Sequence, residues 1–173
     1  MKLAGAAAES FVKRPDPTVR AVLLYGPDEG QVRERMQALT RTVCADVNDP
    51  FRIADVAPAT LGDDPACLAD ELAAIAFGGG RRVVRVAQAT DSQAAPILSA
   101  LARPVGDALL IVSAGVLPPK SKLRSAFESN DAAAAIACYP AEGRALIALI
   151  RQAFADANIR LDADAAETLA ALL

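Results

Sequence analysis

Short apolar segments that alternate with helical stripes are the feature that most constrains the fold of this chain. Five segments are candidate strands, at residues 21–25, 51–56, 82–86, 108–112 and 135–139. Most are continuously apolar, which is typical of strands buried on both faces of a parallel sheet. The sequence therefore predicts an α/β fold, with a doubly wound parallel five-stranded sheet flanked by helices.

The segments between these strands have the periodicity of amphipathic helices. The first connecting helix has an apolar stripe formed by Val32, Met36, Leu39 and Val43. A second stripe is formed by Leu68, Leu72 and Ile75, in a helix that is expected to end before three glycines. Ser92 and Ser121 are N-cap candidates for two further helices.

The organisation of the chain changes at Pro140. Residues 1–139 contain all five candidate strands, whereas residues 140–173 have only helical periodicity. Two stripes occur there, Leu146, Ile150 and Phe154, and then Leu169, Leu172 and Leu173. The second stripe has no helix stop signal. We therefore expect an α/β domain over residues 1–139 and the beginning of a helical domain over residues 140–173, truncated at the end of this sequence.

Missing residue types exclude several classes of catalyst. The chain has no histidine, which excludes Ser-His-Asp and Cys-His catalysis and histidine metal ligands. Its three cysteines, Cys44, Cys67 and Cys138, are far apart in the sequence and fit buried, reduced thiols. We expect no metal site and no cofactor.

Charge and hydropathy also restrict the partners of the chain. A net charge of −3 argues against binding of nucleic acid through bulk charge. No apolar run approaches the ~18–20 residues of a membrane span, and the N-terminus is too short and too soon charged for a secretion signal. We expect a cytoplasmic location and no membrane partner.

The first candidate strand runs into a loop with the layout of a phosphate-binding P-loop. This loop consists of Gly26, Pro27, Asp28, Glu29 and Gly30. Its second glycine comes one residue early, and Gln31 and Val32 stand where Gly-Lys is required. Asp28 and Glu29 place negative charge where a triphosphate would bind. We expect a structural turn that does not bind nucleotide; the alternative is a P-loop-like enzyme with an atypical site.

Phe77 is the largest apolar residue of its predicted helix and lies off the apolar stripe. At ~100° per residue, it is about 180° from Leu68. Three glycines follow it, so that the aromatic ring would stand beside bare backbone. Two interpretations remain open from periodicity alone. Phe77 either folds under the sheet edge as a core residue or is an anchor for a pocket on a partner.

Two basic clusters also allow two interpretations. The first comprises Arg81, Arg82 and Arg85, and the second comprises Lys120, Lys122 and Arg124. Each is either a solvated face or a contact with an acidic partner or the DNA backbone. The second cluster begins a helix, where positive charge is slightly unfavourable by itself, and a phosphate or acidic partner would offset it.

Four segments, in order and at family spacing, resemble a known family. They are residues 20–30 (RAVLLYGPDEG), 49–52 (DPFR), 75–86 (IAFGGGRRVVRV) and 117–124 (LPPKSKLR). Together they resemble the N-terminal part of the delta subunit of bacterial DNA polymerase III, a clamp-loader component. The resemblance covers essentially the whole chain. The chain of the family is longer, with a helical lid and a helical collar domain, and the collar is absent from this sequence.

This resemblance implies an ATPase-like AAA+ domain that has lost nucleotide binding. It implies a non-catalytic component of a DNA polymerase complex in DNA replication, which binds the sliding clamp (the beta subunit) and helps to open it. Other clamp-loader subunits would be partners, and DNA would be contacted through the assembled complex. An inactive AAA+-like scaffold subunit is a further alternative.

The resemblance also implies a clamp-binding site. In the family, a Leu-Phe pair at the end of a helix enters a hydrophobic pocket of the clamp. The Phe corresponds to Phe77, whereas the Leu falls on Ala76 and departs from the pattern. The expected clamp-binding residues are Ile75, Ala76, Phe77 and Gly78, with Arg81, Arg82, Lys120, Lys122 and Arg124 as candidate polar contacts.

Overall fold

The computed structural model describes residues 1–172; the expected stripe residue Leu173 lies outside the described residues. Strands are β1 (Lys2–Leu3), β2 (Ala21–Tyr25), β3 (Ile53–Val56), β4 (Val83–Val86), β5 (Leu109–Ala114) and β6 (Ala133–Ala137). Helices are α1 (Gly5–Lys13), α2 (Glu29–Val43), α3 (Pro58–Asp63), α4 (Cys67–Ala73), α5 (Ala94–Ala102), α6 (Lys122–Ser129), α7 (Gly143–Asp156) and α8 (Ala163–Leu172). A short 3₁₀-helix (Asp91–Gln93) precedes α5.

Within residues 1–172 the strands form one parallel sheet in the order β1-β6-β2-β5-β4-β3. The predicted α/β class and helix-flanked parallel sheet are confirmed. The expected number of five strands is wrong, because β1 adds a sixth strand at the edge beside β6. Two residues give no readable periodicity, which explains why the sequence did not indicate it.

The sheet is covered on both faces because its central strands are apolar on both sides. β2 and β5 are buried at every position. One core includes Leu23, Leu68, Val84, Ile97 and Phe127. The other core includes Phe11, Val22, Leu39, Ile111 and Ile136. Alternate residues of a strand thus enter opposite cores, as the pleat of a sheet requires.

Several strand boundaries differ from the sequence expectations, most clearly those of β3 and β6. β3 begins at Ile53 and not at residue 51, because an Asp49 turn holds the preceding residues: its side chain accepts the Phe51 amide at 2.9 Å. β6 ends at Ala137, where the Cys138 amide still donates to the Tyr25 carbonyl at 2.7 Å. Ser121 is confirmed as the N-cap of α6.

The expected Ser92 cap is wrong. Thr90 caps the 3₁₀-helix instead: its side chain accepts the Ser92 amide, and it forms a capping box with Gln93.

The described chain separates into two compact units at Cys138. The first contains the sheet with α1–α6, and the second begins at Tyr139 and contains α7 and α8, which pack against each other. None of the described helices has the length and apolar character needed to cross a membrane.

Candidate functional site

The segment that carries the expected clamp-binding residues is the connection between α4 and β4. All strands of the sheet are parallel, so this connection reaches β4 at the amino edge of the sheet. The helix ends at Ala73, because Ala74 has extended backbone angles (φ −64°, ψ 140°). Its last turn therefore stops two residues before Ile75.

The three residues that follow form an apolar tip, defined here as Ile75, Ala76 and Phe77. Ile75 is 91% exposed and Phe77 is 86% exposed, whereas Ala76 between them is 5% exposed. The expectation that Ile75 lies on the inner stripe of the helix is therefore wrong. Ala76 enters the protein, and the two large side chains on either side of it stand in solvent.

A glycine segment, Gly78, Gly79 and Gly80, follows the tip and turns the chain back toward β4. Its φ angles are +88°, +84° and +90°. These conformations are costly for residues with a Cβ. The Gly79 amide donates to the Ala76 carbonyl at 3.0 Å, which closes the turn.

The arginines after the glycine segment fix its base to the rest of the domain. Arg82 is buried and its guanidinium donates to the Glu71 carbonyl at 2.7 Å and to the Glu71 carboxylate at 2.9 Å. Arg81 donates from Nε to the Asp107 carbonyl at 2.7 Å and from Nη2 to the Val19 carbonyl at 3.3 Å. The side chains of Arg81 and Arg82, both expected to contact a partner, thus form hydrogen bonds within the protein.

Arg85 is occupied as well. It makes a bidentate ion pair with Asp55, with distances of 2.7 and 2.6 Å from Nε and Nη2. The pair joins the adjacent strands β3 and β4, where these residues are direct register partners. The first basic cluster therefore stabilises the fold, as a cross-strand pair and two loop anchors.

The second basic cluster is only partly accessible. Arg124 donates to Glu128 at 2.9 Å and to the Leu117 carbonyl at 3.2 Å, and its guanidinium lies 5.1 Å from the centroid of the Tyr25 ring. Lys120 and Lys122 are exposed. The Asp91 carboxylate already occupies the N-terminus of α6, where it accepts the amides of Lys122 and Leu123.

Sequence reasoning missed one residue at the tip. Phe51 is 59% exposed, and its ring centroid lies 5.9 Å from that of Phe77, with the ring planes inclined at 42°. The alternating hydropathy of residues 51–56 predicts instead that Phe51 begins the second candidate strand. The signal that could have found it is the Asp49-Pro50 pair directly before it, which favours a turn.

The P-loop-like segment lies at the opposite, carboxyl edge of the sheet, after β2. A crevice of about 390 Å³ is lined there by residues that include Gly26, Glu29, Arg33, Gln88 and Ser113. Two of the loop amides donate to carbonyls within the protein, Gly26 to the Gly115 carbonyl and Asp28 to the Cys138 carbonyl. The Asp28 side chain accepts the Gln31 amide at 2.9 Å and caps α2.

The described residues offer no metal site and no reactive thiol cluster. Among residues 1–172, no group of three or more cysteines and carboxylates is arranged to hold a metal ion. Cys44, Cys67 and Cys138 are free thiols, and Cys44 and Cys138 are buried. Burial raises the pKa of Cys138, and this outweighs the opposing effect of the Arg35 guanidinium beside it.

Comparison with solved structures relates this arrangement to known proteins. The chain superposes on the DNA clamp loader delta protein of Bacillus subtilis with a TM-score of 0.69 and 18% sequence identity, over 94% of this chain and 50% of that chain. The fold is similar to that of clamp-loader subunits. A DNA polymerase III gamma subunit-related protein from Thermotoga maritima is also similar, with a TM-score of 0.55 and 16% identity over 84% of this chain and 49% of that chain.

The resemblance read from the sequence is therefore confirmed at the level of the fold. The chain spans about half the length of the solved structures that it matches. The sequence matches no protein-family model and no curated protein.

Proposed function

We propose that this chain is the N-terminal part of a delta-type clamp-loader subunit, which binds the sliding clamp and helps to open it during DNA replication. Residues 1–139 would form its clamp-binding domain and residues 140–173 the beginning of a helical lid. The fold similarity to a clamp loader delta protein supports this proposal. We also propose a cytoplasmic location and contact with DNA through the assembled complex.

The observation that carries the proposal is the exposure of Phe77 and Ile75 beside an inward-facing Ala76. Burial of a large apolar side chain in a partner contributes ~1.5–3 kcal/mol. Exposed apolar groups held in one place are typical of residues that dominate the binding energy of an interface. Ile75 supplies the aliphatic group that Ala76 lacks, so the anchor consists of residues i and i+2 of the segment between α4 and the glycine segment.

The proposed role requires no catalysis by this chain. The Gly26, Asp28 and Glu29 amides of the P-loop-like segment donate to carbonyls of the protein, and a carboxylate caps the helix where a phosphate would bind. Motor subunits would supply ATP hydrolysis. This chain would act by binding the open clamp more tightly than the closed clamp, because a ligand shifts an equilibrium only by its differential affinity for the two states.

The proposal is tested by binding of the chain to the sliding clamp of the same organism, measured by calorimetry. We expect saturable 1:1 binding that weakens about tenfold or more in Phe77→Ala, since a tenfold change corresponds to about 1.4 kcal/mol. Val116→Ala is the matched control. It removes an exposed apolar side chain next to the crevice at the other edge of the sheet, and it should leave the affinity unchanged.

Two other outcomes separate the alternatives. Binding that Phe77→Ala leaves unchanged would move the site to another surface, of which the exposed Lys120 and Lys122 are the first to test. An absence of clamp binding, together with association with other clamp-loader subunits, would favour an inactive scaffold subunit. Stoichiometric binding of ATP or GTP would favour a nucleotide-dependent enzyme.

A further inference from the structure

The turn before β3 contacts the connection between α4 and β4 at two points, although the two segments are separated by more than twenty residues in the sequence. One contact joins the rings of Phe51 and Phe77. The other joins the guanidinium of Arg52 to the end of the glycine segment. Both contacts come from consecutive residues, so a single turn supports the chain on both sides of the glycine segment, at Phe77 and at Arg81.

The turn itself is firmly held. The Asp49 side chain accepts the amides of Phe51 at 2.9 Å and Arg52 at 3.3 Å, and its carbonyl accepts the Ile53 amide at 2.9 Å. Pro50 restricts φ at the start of the turn. The Phe51 ring is thus presented from a fixed backbone, which lowers the conformational entropy that a partner must remove on binding.

Arg52 joins three chain segments. Its Nε and Nη2 atoms donate to the Arg81 carbonyl at 3.2 and 3.0 Å, and Nη2 also donates to the Val43 carbonyl at the end of α2, at 2.6 Å. Gly80 lies next to the guanidinium. A Cβ built on Gly80 would lie 3.2 Å from Cζ and from Nη2 of Arg52.

We propose that Phe51 forms one docking surface with Ile75 and Phe77, and that Arg52 is the positioning residue that holds the two segments together. This inference rests on the proposed function and specifies the site. The partner face is an apolar pocket of the clamp wide enough for two adjacent aromatic rings. A pocket that binds one ring would require only Phe77 to be exposed. The two inclined rings of Phe51 and Phe77, with centroids 5.9 Å apart, form a continuous apolar face that a wider pocket can bind.

The contribution of Phe51 is tested with the same clamp in a double-mutant cycle. Phe51→Ala should weaken binding about threefold to tenfold, and Phe51→Tyr, which keeps the ring, should restore most of the affinity. The loss in the Phe51→Ala/Phe77→Ala double variant should be smaller than the product of the two single losses, because residues in contact are coupled. The Val116→Ala variant again serves as the control.

The role of Arg52 is tested with Arg52→Lys, which keeps the charge but loses the planar fork that reaches two carbonyls. We expect weaker clamp binding in this variant although both aromatic rings are intact. The urea midpoint of each variant is measured beside the affinity. If a variant is still folded at the temperature of the binding experiment, its loss of affinity is caused by altered positioning of the rings and not by unfolding.

The outcomes distinguish this inference from the proposed function. If Phe77→Ala weakens binding tenfold while Phe51→Ala and Arg52→Lys stay within about twofold of the parent chain, the inference is overturned and the proposed function stands. If the parent chain does not bind the clamp, the proposed function and the inference both fail. Losses in Phe51→Ala that Phe51→Tyr restores support the inference.

Discussion

The carbonyl oxygen of Cys138 lies 1.9 Å from the position that a Cβ at Gly26 would occupy. The same carbonyl accepts the Asp28 amide at 3.3 Å, and the Cys138 amide donates to the Tyr25 carbonyl at 2.7 Å. The residue after β6, Cys138, is thus hydrogen-bonded to residues at both ends of the turn that begins the P-loop-like segment, Tyr25 and Asp28. Glycine is required at this position because the backbone of Cys138 lies so close. In a P-loop the space beside such a glycine is filled by a phosphate, whereas here it is filled by the protein backbone.

Replacement of Gly26 by alanine should strongly destabilise the fold. The Cβ would overlap a backbone carbonyl that cannot move without breaking the β2–β6 bonds, and φ is +148° at this position. We expect Gly26→Ala to lower the free energy of unfolding by about 3 kcal/mol or more, measured by urea denaturation. Gly115→Ala is the matched control, because its Cβ meets no atom within 4 Å; equal losses in the two variants would contradict the argument.

Nucleotide should neither bind to nor stabilise the chain. A phosphate at the end of β2 would need free loop amides, but those of Gly26 and Asp28 donate to carbonyls and that of Gln31 donates to the Asp28 carboxylate. We expect no saturable heat and no rise in the unfolding temperature with millimolar Mg-ATP, since a ligand that binds only the native state must raise stability. A saturable shift that Asp28→Ala alters would assign a nucleotide site to the crevice.

The strands that fill the middle of the sheet could be predicted from the sequence because their environment is uniform. β2 is apolar at every position, and its predicted bounds are those of the structure. β5 was found for the same reason, although it continues to Ala114. β1 could not be found, since it is two residues long and its pairing with β6 depends on a partner distant in sequence.

The candidate site could be located from the sequence but not described. The prominence of Phe77 followed from its position before three glycines. The predicted helical stripe, however, includes Ile75, because periodicity cannot indicate where a chain leaves a helix to bury Ala76. The contact of Phe77 with Phe51 is tertiary and therefore has no local sequence signal. Arg81 and Arg82 donate to backbone carbonyls of distant residues, and a sequence pattern cannot indicate which carbonyls will lie near them.

Arg35 should matter more for stability than its place off the apolar stripe of α2 suggests. Its guanidinium is buried and donates to the Ala137 carbonyl at 3.0 Å and to the Glu9 carboxylate at 2.5 Å. Arg35→Ala should lower the free energy of unfolding by about 2–3 kcal/mol, because α1, α2 and the end of β6 lose their common donor. Glu9→Gln should cost less than about 1 kcal/mol, since that carboxylate is largely exposed; the reverse order would contradict this assignment.

Native thiol reactivity should be confined to Cys67. Cys44 and Cys138 are buried, whereas Cys67 is partly exposed at the start of α4. Burial raises the pKa of Cys67, and the nearby Asp64 and Asp70 carboxylates raise it further. We expect one thiol per chain to react with a maleimide, slowly at pH 7 and faster as the pH rises, because the thiolate is the nucleophile. Cys67→Ser should abolish the reaction, and labelling of Cys138 in folded protein would contradict the burial.

The acid limb of the stability curve should depend on Asp91. Burial by itself would raise the pKa of this carboxyl, but hydrogen bonds from the Ser121 hydroxyl and from the Leu123 and Lys122 amides outweigh burial and lower the pKa. A group whose pKa is lower in the folded than in the unfolded chain contributes stability that is complete above its unfolded pKa, about 3.9 for an aspartate. That contribution is lost as the pH falls through the folded value.

Asp91→Asn tests this dependence directly. The variant should lose about 1 kcal/mol of stability at pH 7, because the amide is a weaker acceptor at the N-terminus of α6. Its stability should then fall less steeply than that of the parent chain below about pH 4, because the group that titrates is gone. Urea denaturation at a series of pH values provides the measurement, with Asp131→Asn, at an exposed carboxylate, as the control. If the free energy of unfolding falls equally steeply below pH 4 in the parent chain and in Asp91→Asn, the Asp91 cap of α6 contributes no proton-linked stability.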